Sequence, residues 1–278
     1  DLHEPCFLGY VGENMLDAAA VGEIFSSPPA TAFYQAFIEA DQGAGVACLF
    51  GNYAGDNMNV KMAVQMAAND GVEVKFVCAN DDIASAPKAE KERRHGIAGS
   101  LFMWKIGCAA ASKGYCLDDV IKMAQSAVDE TRSICVGLEP CSIPAVGHAN
   151  FEIKAGTMEY GIGHHGEPGI VVEDLKPAKD IAKKLCSMIQ EDLELNENEE
   201  IAVIVSGLGG TPIMELYVLY DEVENTFNQY GVHVVKAFVG DYVTSLEMNG
   251  AALTVMRLNE EFKELLNLSV ETPGLTIR

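Results

Sequence analysis

The stretch Gly161-Ile162-Gly163-His164-His165-Gly166-Glu167-Pro168-Gly169 sets two adjacent imidazoles in a loop with four glycines and a proline. Glycine lets backbone approach a ligand closely, and proline stiffens the turn. An imidazole held there can act as nucleophile or base. The plain alternative is a structural turn whose histidines bond nearby backbone. Only Glu167 accompanies the pair, and neighbours on an extended chain face opposite ways, so no metal site is expected. The turn Gly51-Asn52-Tyr53-Ala54-Gly55-Asp56 delivers a carboxylate to the start of a helix, where Asp56 is either a base or a helix cap. His3-Glu4-Pro5, taken alone, reads as a frayed terminus. Arg93-Arg94-His95 and Asp81-Asp82 read as solvated surface groups. Ser206–Thr211 is glycine-rich but lacks the spacing of a phosphate loop, so it is a weak nucleotide site.

Strand and helix signals alternate around these groups. Val46–Phe50 is a short apolar run, followed by a helix with Val60, Ala63, Val64, Ala67 and Ala68 on one side and then a strand over Val72–Val77. That is a βαβ unit with a parallel pairing. Helices follow near Ile97–Ser112 and Leu117–Thr131. Ser133–Leu138 and Met158–Ile162 read as strands, and Pro177–Leu193 as a helix. The acidic run Glu191–Glu200 reads as a solvated loop or helix end. Ile201–Val205 is a strand, Thr211 caps a helix with Pro212 in its first turn, and Val232–Val239 and Ala251–Leu258 are strands. The expected fold class is α/β, with two packed domains, 1–131 and 132–278, each a mixed or parallel sheet flanked by helices. Open α/β sheets bind ligands beyond the carboxyl ends of their strands, which again points to the turn at 51–56.

The chain has 278 residues, enough for two such domains. Its net charge of −22 repels phosphate backbones and anionic membranes, so neither nucleic acid nor membrane is an expected partner. No apolar run approaches a membrane span, and no secretory leader is visible. None of the eight cysteines forms a C-x-x-C pair; buried reduced thiols and a cytoplasmic location are the expectation.

Taken together, several motifs resemble the substrate-binding subunit or domain of dihydroxyacetone kinases. They are His3-Glu4-Pro5, Gly9-Tyr10-Val11-Gly12, Gly22-Glu23-Ile24-Phe25-Ser26-Ser27-Pro28, Asn52-Tyr53-x-Gly55-Asp56, Arg93-Arg94-x-Gly96-Ile97-Ala98-Gly99, His165-Gly166-Glu167-Pro168-Gly169, Leu208-Gly209-Gly210-Thr211-Pro212 and Gly240-Asp241-Tyr242-x-Thr244-Ser245-Leu246. They run in order through the whole chain. The resemblance implies a transferase acting on dihydroxyacetone or a similar small ketose, tethered through a hemiaminal to His165. It implies Asp56 as general base and His3 in proton transfer at the carbonyl oxygen. It implies no cofactor in this chain, with nucleotide and Mg²⁺ on a partner subunit of the phosphotransferase-linked type, and a homodimer. Two departures stand out. Family members precede His-Glu-Pro with a helix, a strand and a Gly-Gly-Gly-Ser-Gly loop, so the N-terminal domain is expected to lack its first strand and that loop. They also often carry lysine at Gly51, which stands among the expected substrate contacts. Two alternatives stay open: a non-catalytic ketone-binding paralogue that co-regulates a transcription factor, and a kinase for a four-carbon ketose.

Overall fold

The structure is a computed structural model and describes residues 3–142, 147–149 and 151–278. Helix α1 (Ala30–Ala40) leads into strand β1 (Val46–Gly51), helix α2 (Ala54–Asn69) and strand β2 (Val74–Ala79). β1 and β2 are parallel and in register from Val46 opposite Val74 to Gly51 opposite Ala79, which is the expected crossover. Phe33 and Phe37 of α1, Cys48 and Phe50 of β1, and Val60, Ala63 and Ala67 of α2 form one core cluster on a face of this pair. The spacing 60, 63, 67 is one side of a helix. Helices α3 (Ser100–Ser112) and α4 (Leu117–Asp129) cover the opposite face, where the Trp104 indole donates to Leu49 O at 3.1 Å.

The second sheet starts where α4 ends. Its strands are β3 (Thr131–Glu139), β4 (Thr157–Tyr160), β5 (Val171–Asp174), β6 (Glu200–Gly207), β7 (His233–Gly240) and β8 (Asn249–Arg257), in the order β5-β4-β3-β8-β6-β7. β6 and β7 pair in parallel and the remaining neighbours antiparallel. Helices α5 (Ala178–Leu193) and α6 (Ile213–Gln229) pack on one face, and α7 (Glu260–Leu266) follows β8. Along β6 the side chains alternate: Ile201, Val203 and Val205 join the cluster under α5 and α6, while Ala202 and Ile204 join the cluster that holds Trp104. All five are fully buried. Each large aliphatic among them contributes roughly 1.5–3 kcal/mol of burial. The cluster around Trp104 draws on α3, α4 and α7 as well as this sheet, so its far face is not wet. A short antiparallel pair, β9 (Val270–Glu271) and β10 (Thr276–Ile277), closes the chain.

Several local expectations need correction. Thr211 does not cap α6. Pro212 holds the cap position without a side-chain bond, and the Thr211 hydroxyl donates to Gly250 O at 2.7 Å, tying the loop to β8. Asp81 and Asp82 do not face water; they are 1% and 3% exposed. Asp81 accepts from the N–H groups of Ile97 and Gly99 at 3.1 and 2.8 Å, so a loop that needs buried acceptors recruits it. Arg94 is buried too, because Asp192 receives it through two bonds of 2.9 and 2.6 Å and Arg132 through a third of 2.6 Å. α1, β5, α7, β9 and β10 had no sequence assignment.

Candidate functional site

Loops at the strand ends bring the chemistry together. After β7, the backbone N–H groups of Tyr242 and Val243 donate to the Ser206 hydroxyl at 3.0 and 3.1 Å. This holds the 241–245 loop against the end of β6. Thr244 then pairs with His3: its N–H donates to His3 O at 3.3 Å, and His3 Nδ1 bonds Thr244 O at 2.6 Å. His3 is 7% exposed, so it is a built-in part of the site and not a frayed end. The Ser245 hydroxyl donates to His164 O, tying the same loop to the histidine turn.

That turn closes on itself. Gly166 N donates to Gly163 O, and Gly163 N to Glu167 O, both at 3.0 Å. Gly166 has φ +84°, a value that favours glycine. His165 N donates to Glu167 Oε2 at 2.9 Å, and His165 Nδ1 meets Glu167 Oε1 at 3.1 Å. A Cβ on Gly163 would strike Glu167 Oε2, so that glycine clears the carboxylate's place. Because 164 and 165 sit in a turn and not an extended run, both rings reach His3, at centroid distances of 5.5 and 5.1 Å. They still differ. His164 is 2% exposed and its Nε2 has no hydrogen-bond partner among the described residues. The His165 side chain is 24% exposed, and its Nε2 lies 3.2 Å from His3 Nε2.

Asp56 comes from the first turn of α2 but does not cap it; Tyr53 occupies the cap position. Its Oδ2 accepts the Ser27 hydroxyl at 2.9 Å, and Gly55 leaves room for that approach, since a Cβ there would lie 2.5 Å from Ser27 Oγ. Gly51 faces Gly96 O, which a Cβ would meet at 3.0 Å. His3, His165, Asp56 and Gly51 all line one cavity of about 820 Å³. The imidazoles and the Asp56 carboxylate make that end of it polar. Its remainder runs along β1 to Trp104 and Leu117 and is mostly apolar, with Asn14, Asp17, Ser100 and Ser112 among its lining. The volume is that of a drug-sized pocket, so a three-carbon ligand would fill only one end.

Two aromatics frame the imidazoles, neither singled out as a site residue from sequence. Phe25 stands edge-on to His165 at 4.9 Å and stacks on His3 at 5.5 Å. Tyr53 stands edge-on to His165 at 5.2 Å and stacks on His95 at 4.7 Å. Phe25 holds φ +51°, a left-handed value that costs a non-glycine residue energy and marks a constrained position. Ser27, Phe25, Tyr53 and Glu167 all lie inside motifs quoted above, which was the available signal.

Burial sets the electrostatics. It lowers His3 to about 4, with His165 as the next contributor. It holds His164 well below the ordinary histidine range. It raises Asp56, outweighing the Ser27 hydrogen bond. Burial pushes against ionisation of Glu167, but the hydrogen bonds and charge of His165 together with a backbone hydrogen bond outweigh it and bring it down to about 2. Among the described residues, no group of three His, Cys, Asp or Glu side chains is placed to hold a metal. The glycine-rich 206–211 loop packs against the 246–247 backbone. A Cβ on Gly209 would meet Leu246 O and one on Gly210 would meet Glu247 O, so those glycines admit the chain's own backbone.

An α/β protein with two imidazoles and a half-buried carboxylate lining one cavity has the layout of a small-molecule site with acid–base groups. The Dak1 domain model matches residues 3–274, and the chain belongs to that family. It is 42% identical over 271 residues to the dihydroxyacetone-binding subunit DhaK of a PTS-dependent dihydroxyacetone kinase from Listeria innocua, covering 98% of this chain and 81% of the relative. It is 38% identical to a D-erythrulose kinase of Mycolicibacterium smegmatis, covering 98% of this chain and 47% of that protein. The solved dihydroxyacetone kinase operon co-activator Dha-DhaQ superposes with a TM-score of 0.93 at 29% identity, over 99% of this chain and 86% of that one.

Proposed function

We propose that this chain is the ketose-binding subunit of a dihydroxyacetone-type kinase, working in the cytoplasm as a homodimer. His165 Nε2 adds to the ketone carbon and forms a reversible hemiaminal, which selects carbonyl compounds over simple polyols. The tether fixes the terminal hydroxyl, and catalysis by positioning follows. Asp56, its carboxyl raised by burial, takes the proton from that hydroxyl. His3 serves the carbonyl oxygen. A partner subunit brings the nucleotide and Mg²⁺, a reading supported by the similarity to the dihydroxyacetone-binding subunit of a PTS-dependent kinase. The observation that carries this reading is the 3.2 Å approach of the His3 and His165 Nε2 atoms in a cavity that Asp56 also lines.

The test is a coupled assay with dihydroxyacetone and a nucleotide-carrying partner subunit. Phosphorylation that needs both proteins supports the reading. Robust activity of this chain alone with ATP and Mg²⁺ contradicts it. A second reading is favoured by the fit to the co-activator: a ketone-binding regulator with no turnover. Ketone binding without phosphorylation in that assay would select it. The match to an erythrulose kinase makes a four-carbon ketose the second substrate to assay.

A further inference from the structure

Four groups stand in a hydrogen-bonded row: Thr244 O, the His3 ring, the His165 ring and the Glu167 carboxylate, joined at 2.6, 3.2 and 3.1 Å. The two ends fix the protons. A carbonyl oxygen only accepts, so His3 Nδ1 carries hydrogen. An ionised carboxylate only accepts, so His165 Nδ1 carries hydrogen. With both rings neutral, the two Nε2 atoms would then present lone pairs to each other at 3.2 Å. A single proton between them makes every contact in the row favourable.

From this geometry we infer that Glu167 is a positioning residue that holds His3 and His165 as a singly protonated pair, with the shared proton on His165 Nε2 and available for delivery to the ketone oxygen. His165 is the better carrier because its ring is partly open to the cavity and paired with Glu167, whereas His3 is buried. This rests on the hemiaminal reading for its chemical use. The step balances. His165 Nε2–H passes its proton to His3 Nε2, and the freed lone pair forms the N–C bond. The C=O π pair moves to oxygen, and His3 returns the proton there. The adduct is an imidazolium whose Nδ1–H remains on Glu167, and no proton is taken up or released overall. Among the described residues, the other titratable groups facing the pair include His164 from the same turn, Asp56 from α2, and Tyr53 with His95 behind it. His164 is held neutral by burial, and burial likewise lowers His95 and raises Tyr53. Asp56 faces His165 but forms no bond in the row.

The test uses ¹⁵N-histidine NMR on the ligand-free protein, with His3→Asn and His165→Asn variants assigning the signals. The expected spectrum near neutrality shows His165 protonated at both nitrogens and His3 neutral with hydrogen on Nδ1. Glu167→Gln should let the pair lose its proton at lower pH. It should also weaken dihydroxyacetone binding about 10- to 100-fold, the scale on which carboxylates behind metal-ligating histidines act. Gly163→Ala, which crowds the same carboxylate, should shift the pH profile the same way. A His165 ring bare at Nδ1 in the wild-type protein overturns the inference. So does a Glu167→Gln protein with an unchanged profile and affinity. Ketone labelled with ¹³C at C2 separates the two readings. Failure of the wild-type protein to convert the carbonyl carbon to a tetrahedral one refutes the covalent tether, while the ligand-free spectrum still decides where the proton sits.

Discussion

In the proposed reaction, environment divides the work among His165, Asp56 and His3. Asp56→Asn keeps the volume and one hydrogen bond to Ser27 but removes the base. Turnover should fall ~10²–10⁴-fold while ketone affinity stays within a few fold, read by coupled assay and by calorimetry. Activity near wild type would remove Asp56 from the mechanism. His3 also leaves a mark on stability. Its folded value of about 4 lies below the ordinary 6.5, so the unfolded chain binds the extra proton between those values. Stability from this group is therefore full above about 6.5 and declines as pH falls toward 4. Asp82 has the opposite sign, because burial raises it to about 7. Its contribution is full below the unfolded carboxylate value and is lost as pH rises through 7. Asp82→Asn should then gain on the wild type as pH rises through that range, measured as urea midpoints across it. A constant difference at every pH would show that Asp82 does not titrate there.

At the scale of elements, the site depends on loops held by buried polar groups. Asp192 of α5 receives Arg94 from the loop after β2 and Arg132 from β3, with side chains 11%, 2% and 10% exposed. Asp192→Ala would strand two buried guanidiniums and should cost ~3–5 kcal/mol in chemical denaturation, the usual scale for breaking a buried pair. A loss under about 1 kcal/mol would mean the arginines find other partners or water. The same residues show where sequence reading works and fails. The βαβ unit was legible because Val60, Ala63 and Ala67 keep helical spacing between two apolar runs. Asp81, Asp82 and Arg94 were misread because their burial is set by partners far along the chain, and composition alone points such groups to water. Thr211 was misread because its cap geometry went to Pro212 and its hydroxyl to Gly250, a contact made only when β8 arrives.

At the scale of the molecule, the candidate site is assembled from residues near positions 3, 25, 56, 165 and 244, and no local pattern declares that they meet. The resemblance of the ordered motifs supplied His3, Asp56 and His165 in the sequence; Phe25, Thr244 and the Glu167 contact emerged only from the fold. The net charge of −22 has a consequence for assembly. A partner subunit docking through a basic face should associate more slowly as salt rises, because screening shortens the range of steering. Stopped-flow association rates that stay flat between low and high salt would argue for an apolar contact instead. The central claim is the covalent tether, and a crystal soaked in dihydroxyacetone tests it most directly. The account predicts continuous density from His165 Nε2 to the ketone C2, with the new hydroxyl turned toward His3 and a terminal hydroxyl toward Asp56. An intact ketone lying unlinked in the cavity, or density joined to His164, would contradict it.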